Sequence, residues 1–251
     1  MIQILSTNQE LKLYRQALKG TVGFVPTMGA LHEGHASLLR AARQKCDHVV
    51  LSIFVNPTQF NDPKDLEKYP RTFEADKALA EREGVNAIYF PNFGELYPDD
   101  FTYEVREKRW SHHFCGAHRA GHFEGVLSVV LKLFNLVQPH FAFFGEKDYQ
   151  QLRLIQGMVK AFFLPLEILP VPTLREADGL AMSSRNVRLT PEERNLAPIF
   201  YQVLKNAPTA HEARVQLESK GFRVDYVEDW EGRRLGALHL GSVRLIDNVE
   251  I

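Results

Sequence analysis

The chain has 251 residues, 45% of them apolar and 24% charged, with a formal net charge of −1; this is the balance of a soluble globular protein with one sizeable domain or two modest ones, and it leaves no basic footprint for nucleic acid. Its two cysteines, Cys46 and Cys115, are too few for a disulfide framework and fit a reducing cytosol. The first sixteen residues lack the pattern of a signal peptide, and the longest apolar run, Val49–Val55, is too short to cross a bilayer.

Val22–Pro26 reads as a buried strand, Gly34–Lys45 as a helix with Leu38, Leu39 and Ala42 on its apolar side, and Val49–Val55 as the next strand. Arg71–Glu83 follows as a helix, Asn86–Phe90 as a strand and Phe101–Arg106 as a further strand. Then come a long helix over Phe123–Val137, a strand at His140–Phe144, a helix over Tyr149–Phe162 and a strand at Leu166–Leu169. Short apolar strands alternating with amphipathic helices predict an α/β fold, a parallel sheet with helices on both faces. Ligands of such sheets bind beyond the C-terminal strand ends.

Pro170–Asn186 is irregular, and the boundary placed there divides residues 1–173 from a smaller unit of residues 174–251. In that unit Pro191–Lys205 and Ala210–Lys220 read as helices. Phe222–Val227, Arg233–Ala237 and Val243–Ile246 read as short strands, giving a small α+β domain. There are no internal repeats and no low-complexity tracts.

Four strings carry chemistry. The first, Met28-Gly29-Ala30-Leu31-His32-Glu33-Gly34-His35, follows the first predicted strand and opens a helix. Its glycines let backbone N–H groups approach an anion, and the helix N-terminus adds partial positive charge. His32 and His35, three apart, suit phosphate oxygens as charge develops on them. A zinc-protease reading fails, because that motif needs histidines four apart on a helix and position 36 is Ala36.

The second string, Gly145-Glu146-Lys147-Asp148, ends a strand and starts a helix. It places a lysine where phosphates gather, with Asp148 either capping the helix or meeting a ribose hydroxyl. The third, Met182-Ser183-Ser184-Arg185, offers hydroxyls, backbone N–H groups and a guanidinium on a loop able to close as a lid. A His-x-Gly-His turn paired with a distant Met-Ser-Ser-Arg loop is a way of gripping ATP without a P-loop, in enzymes that attack the α-phosphate and expel pyrophosphate. In the fourth string, Val55–Asn61, the uncharged amides of Asn56 and Gln59 suit a small substrate bearing hydroxyl and carboxylate groups, as does Gln151.

His112–His122 holds four histidines and Cys115. Structural zinc is the weaker reading, since no second close cysteine or carboxylate accompanies them. Arg119 and His122 are read instead as anion contacts at the start of the long helix.

These strings together resemble the pantoate–β-alanine ligase (pantothenate synthetase) family. The motifs are VPTMGALHEGH, SIFVNPTQF, DLEKYPRT, RAGHFEGV, KLFN, FGEKDYQQL and READGLAMSSRN, and the similarity resumes at Val224–Val227 and Arg244–Asn248. The resemblance implies a Rossmann-like domain with a smaller C-terminal lid, in homodimers. It implies condensation of pantoate with β-alanine through pantoyl adenylate, with release of AMP and diphosphate. Carried over by motif, ATP falls to Met28–His35, Gly145–Asp148, Leu174 and Met182–Arg185. His35 falls in the proton-donor position, and His32, Lys147 and Arg185 join it as catalytic residues. Gln59 and Gln151, and with them Asn56, would hold pantoate, and Gln59 would also meet β-alanine. Magnesium would ride on the ATP phosphates, with no metal site of the protein's own. Ala36, Ala120 and the short stretch between Val227 and Arg244 depart from the family pattern. The rivals are another nucleotidyltransferase of the same superfamily and a nucleotide-binding module without activity. A tRNA synthetase is disfavoured in so short and neutral a chain, which has no basic anticodon-binding domain.

Overall fold

A computed structural model describes residues 2–251. Six strands form one all-parallel sheet: β1 (Gln3–Leu5), β2 (Val22–Thr27), β3 (His48–Ile53), β4 (Ala87–Tyr89), β5 (Phe141–Gly145) and β6 (Glu167–Val171). Their order is β1-β4-β3-β2-β5-β6. The chain runs outward from β2 through β3 to β4, then crosses back to place β5 on the other side of β2. The β2/β5 boundary is therefore the topological switch point, where a crevice opens beyond the carboxyl ends of the strands.

Period-two alternation assigns the strand residues to two cores. Val22, Phe24, Val50, Tyr89, Ala142 and Phe144 face one core. It is completed by α1 (Asn8–Ala17), α6 (His122–Val137) and α7 (Tyr149–Ala161). Val25, Val49, Leu51, Ile88 and Phe143 face the other, against α2 (Glu33–Lys45) and α4 (Phe73–Arg82). Burial on both faces explains why these strands read as continuous apolar runs. The short helices α3 (Pro63–Glu67) and α5 (Phe93–Leu96) lie in the connections.

The C-terminal part carries α8 (Pro191–Leu196), α9 (Pro198–Asn206) and α10 (Ala210–Ser219). They precede an antiparallel meander of β7 (Arg223–Trp230), β8 (Arg233–Leu240) and β9 (Val243–Glu250). One face of this sheet closes on α9 and α10 through Val224, Leu238 and Leu245. Tyr226, Trp230 and Leu235 on its other face join the core of the parallel sheet.

Three expectations are corrected. Phe101–Arg106 is no strand: Asp100 and Phe101 both sit at positive φ (49° and 59°), which breaks an extended run. The segment instead lies on α6, where Val105 N–H donates to Ser128 Oγ at 2.8 Å. Pro191–Lys205 is two helices, because Pro198 has no N–H to continue the first and is well placed to start the second. The last three strands run eight residues each, longer than their sequence pattern suggested, and two-residue turns join them.

Candidate active site

A cavity of about 640 Å³ opens at the switch point. The turns after β2, β3 and β5 line it, together with the start of α7 and the Leu174–Arg185 segment.

The turn after β2 is held from within. Gly29 takes φ +80°, and a Cβ there would meet Asp76 Oδ2 at 2.9 Å. The buried Asp76 carboxylate accepts the N–H groups of Ala30 (3.0 Å) and Leu31 (2.7 Å), and also the Thr72 hydroxyl (3.1 Å). The anion cradled by this backbone is thus an internal aspartate. That corrects the expectation that these N–H groups await a phosphate.

His32 and His35 cap α2 with a reciprocal pair of imidazoles. Gly34 N–H donates to His32 Nδ1 (3.1 Å), and His32 N–H donates to His35 Nδ1 (3.2 Å). Because both Nδ1 atoms accept, each neutral ring carries its proton on Nε2. Burial lowers the His32 pKa to about 4, helped by the positive charge of Lys147. Burial, then His32 and Lys147, lowers that of His35 to about 3. The pair is a set of neutral Nε2–H donors with centroids 4.1 Å apart.

Two arms bring cationic groups into the cavity, beside Arg119 and Arg244 on its wall. Lys147, at the end of β5, lies 3.9 Å from Asp148 Oδ2. Asp148 makes no side-chain cap to α7, so of its two expected roles capping is not the one seen. From the Met182–Arg188 segment, Arg185 Nη2 reaches Asp65 Oδ2 (3.1 Å) and Arg188 Nη1 reaches Asp65 Oδ1 (2.9 Å). Burial alone would raise the Asp65 carboxyl, but the two guanidinium groups outweigh it and hold it below its ordinary value.

The amides after β3 are arranged by their neighbours. Asn56 is buried; its Oδ1 accepts from the Tyr97 hydroxyl (2.9 Å) and Thr58 Oγ1 (3.0 Å). Its Nδ2 donates to Gln59 Oε1 and to Gly125 O, both at 3.2 Å. Gln59 Nε2 is thereby turned toward Met28 Sδ at 3.0 Å. Gly125 makes this approach possible, since a Cβ there would stand 2.5 Å from the Thr58 carbonyl.

His122 Nδ1 meets the Gln59 carbonyl at 2.8 Å and so bears the proton, while its Nε2 accepts from Arg119 Nη1 at 2.9 Å. Burial and Arg119 lower the His122 pKa to about 3. His122 is therefore a neutral brace, and Arg119 is the group that lines the cavity. No group of three potential metal ligands occurs among the described residues, those of the His112–His122 loop included.

Residues 3–250 match the family model described as pantoate-beta-alanine ligase. The chain belongs to the pantoate–β-alanine ligase family. It is 61% identical to the pantothenate synthetase of Bdellovibrio bacteriovorus over 251 residues, all of both chains. It is 49% identical to that of Legionella pneumophila strain Lens, over 98% of this chain and 99% of the relative. Among solved structures, the Francisella tularensis pantoate–β-alanine ligase, complexed with beta-gamma ATP and beta-alanine, superposes with a TM-score of 0.95. Its identity is 37%, over 100% of this chain and 98% of that one. The Thermus thermophilus pantothenate synthetase gives 0.91 at 42% identity, over 99% of both.

The structure gathers most of the residues that the family motifs single out. Met28, His32, Gly34, His35, Asn56, Gln59, Gly145, Lys147, Asp148, Gln151, Leu174 and Met182–Arg185 all line the one cavity. Five others do not. Gly29, Ala30 and Leu31 turn their N–H groups to Thr27 or Asp76. Glu33 projects outward to Arg40, and Glu146 pairs with Arg233 at 2.9 Å, outside the cavity. Asp65, Asp76 and Tyr97 have structural parts that the sequence reading missed. Asp65 lay within a motif already singled out, whereas Asp76 and Tyr97 show themselves only through the fold.

Proposed function

We propose that this protein condenses pantoate with β-alanine at the expense of ATP in the switch-point cavity. A pantoate carboxylate oxygen attacks the α-phosphorus, the bond to the β-phosphate breaks, and diphosphate leaves. The β-alanine nitrogen then attacks the acyl carbon of pantoyl adenylate. The bond to AMP breaks, AMP departs, and the amine loses its proton. The observation that carries this reading is the convergence of His32, His35, Lys147 and Arg185 on one cavity, in a chain of this family. The Francisella relative bound to beta-gamma ATP and beta-alanine supports it.

A carboxylate attacks a polyanion poorly unless the phosphates are neutralised and the attacker is aligned. Lys147 and Arg185 supply the charge, and the His32 and His35 Nε2–H groups donate to phosphate oxygens without adding any. Arg185 is held by Asp65 until the triphosphate takes that carboxylate's place. Gln59 and Gln151 orient pantoate, and Gln59 also meets β-alanine. Asn56, its polar atoms fully engaged, acts by aiming Gln59. Asp148 is left to meet the ribose, Leu174 borders the nucleotide, and Ser183 and Ser184 add hydroxyls. Residues 1–173 bind the substrates and residues 174–251 act as the lid.

Magnesium enters as MgATP, carried on phosphate oxygens and water, its preferred donors. A homodimer and a cytoplasmic location complete the reading. The family resemblance supports the dimer, testable by light scattering. The two buried free thiols fit a reducing compartment. The activity test is to incubate the protein with MgATP, pantoate and β-alanine, omit each in turn, and identify products by mass. AMP and pantothenate should form together only in the complete mixture. Steady AMP release that ignores pantoate, or ADP in place of AMP, would overturn the reading.

A further inference from the structure

The Arg244–Asn248 string at the end of the chain has no place in the chemistry above. Its last two residues are nevertheless among the most buried polar groups in the protein, Asp247 at 4% exposure and Asn248 at 3%.

Every polar atom of Asn248 is used. Nδ2 donates to the carbonyls of Glu146 (2.8 Å) and Lys147 (3.0 Å), and Oδ1 accepts from Arg233 Nη1 (2.7 Å). Arg233 fixes the orientation of the amide, so the NH₂ must face the two carbonyls. The backbone N–H of Asn248 donates to Asp247 Oδ1 (2.8 Å), and its carbonyl accepts from Arg175 Nη2 (3.1 Å). Asp247 takes the Arg175 fork on both oxygens, at 2.6 and 2.9 Å. Arg175 in turn donates to the Gly179 carbonyl (3.1 Å), closing the turn that pairs Arg175 with Ala181. Met182, which opens the Ser-Ser-Arg loop, donates its N–H to the Leu174 carbonyl (3.0 Å).

One dipeptide of β9 therefore holds the arm that carries Lys147 and the base of the arm that carries Arg185. Through its amide it holds the backbone of Lys147. Through Asp247 and Arg175 it holds the base of the segment that carries Arg185. We propose that Asn248 is a positioning residue for Lys147, and that with Asp247 and Arg175 it sets the spacing of the two arms that grip the triphosphate. This rests on the assignment of adenylation to this cavity.

The side-chain chemistry makes Asn specific. Aspartate has the same shape and keeps the acceptor for Arg233, but it presents an oxygen to two carbonyl oxygens. Asn248→Asp should push the Glu146–Lys147 turn away while leaving the cavity otherwise filled. The experiment compares it with the unaltered protein in three measurements: affinity for α,β-methylene-ATP by calorimetry, pantoate-dependent ATP–diphosphate exchange, and transfer of the acyl group from supplied pantoyl adenylate to β-alanine. The first two should weaken by at least about tenfold, the worth of roughly one charge-assisted hydrogen bond. The third, which needs no triphosphate, should stay within about twofold. Adding Asn248→Asp to Lys147→Ala should then cost much less than it does alone, because the two act as a unit.

Equal losses in all three measurements would mark a general structural role and overturn the inference, as would additive effects in the double variant or wild-type behaviour of Asn248→Asp. If Asn248→Asp does not fold, Arg175→Lys serves in its place. It keeps the charge opposite Asp247 but cannot span Asp247, Gly179 and Asn248 together, and the same split between measurements is expected. Failure of the unaltered protein to exchange diphosphate would instead strike the adenylation reading itself.

Discussion

Asp76 Oδ1 accepts the backbone N–H of Leu31 at 2.7 Å, linking α4 to the turn that presents both site histidines. With Ala30 and Thr72 on the same carboxylate, one buried side chain fixes three groups around that turn. The histidines then cap α2 with their Nδ1 atoms and leave Nε2–H for the cavity.

Asp76→Ala leaves two part-buried backbone donors without acceptors. A loss of roughly 2–4 kcal/mol in stability is expected, read from denaturant midpoints. Asp76→Asn keeps the volume but sets an NH₂ group against one of the donors, and kcat/KM for ATP should drop at least about tenfold. An asparagine variant as active as the parent would show that the turn holds its shape without the carboxylate.

In the proposed mechanism, His35→Ala and Lys147→Ala each remove a donor to developing phosphate charge. Each should slow turnover by roughly 10²–10³, the usual cost of such a donor, with circular dichroism unchanged. Near-normal turnover of either purified variant would remove that residue from the mechanism.

Much of this site was legible because its parts are contiguous strings at strand ends. The His-x-Gly-His turn, Gly145–Asp148 and Met182–Arg185 each pair a recognisable residue pattern with a strand or loop position that hydrophobic periodicity marks. What stayed hidden works across distance and through the backbone. Asp76 grips N–H groups some forty-five residues away, Tyr97 orients Asn56, and Asn248 meets two carbonyl oxygens. The backbone partners have no sequence signature, since nearly every residue carries a carbonyl and an N–H, and the Tyr97–Asn56 side-chain pair spans forty-one residues that only the fold brings together. The fold shows the same divide. The buried strands stand out, but β1 has only three residues, and the consecutive positive φ angles at Asp100 and Phe101 leave no mark in the alternating pattern of Phe101–Arg106.

Gln59 sits with its amide turned by Asn56 and its carbonyl braced by His122. Gln59→Ala should mainly raise the KM for pantoate and for β-alanine and spare that for ATP, since the proposed mechanism gives the glutamine no contact with the triphosphate. Steady-state kinetics with each substrate varied in turn reads this directly, and an unchanged pantoate KM would count against the role.

Acid should destabilise the protein in a defined window. Burial, with nearby positive charge, lowers the pKa of His32 to about 4 and those of His35 and His122 to about 3. An unfolded histidine titrates near 6.5. Below that pH the unfolded chain takes up protons that the folded protein refuses. The contribution of the neutral imidazoles is thus whole above pH 6.5 and is lost as pH falls toward about 3–4. Each pH unit costs up to about 1.4 kcal/mol per histidine, less for His32, which is partly open to solvent at the cavity wall. Urea midpoints should therefore fall steeply from pH 6.5 to 4.5, and His35→Ala should flatten the slope by close to one proton. A midpoint that holds constant across that interval would mean that the folded protein accepts these protons, and that the Nδ1 acceptor roles assigned to His32 and His35 are wrong.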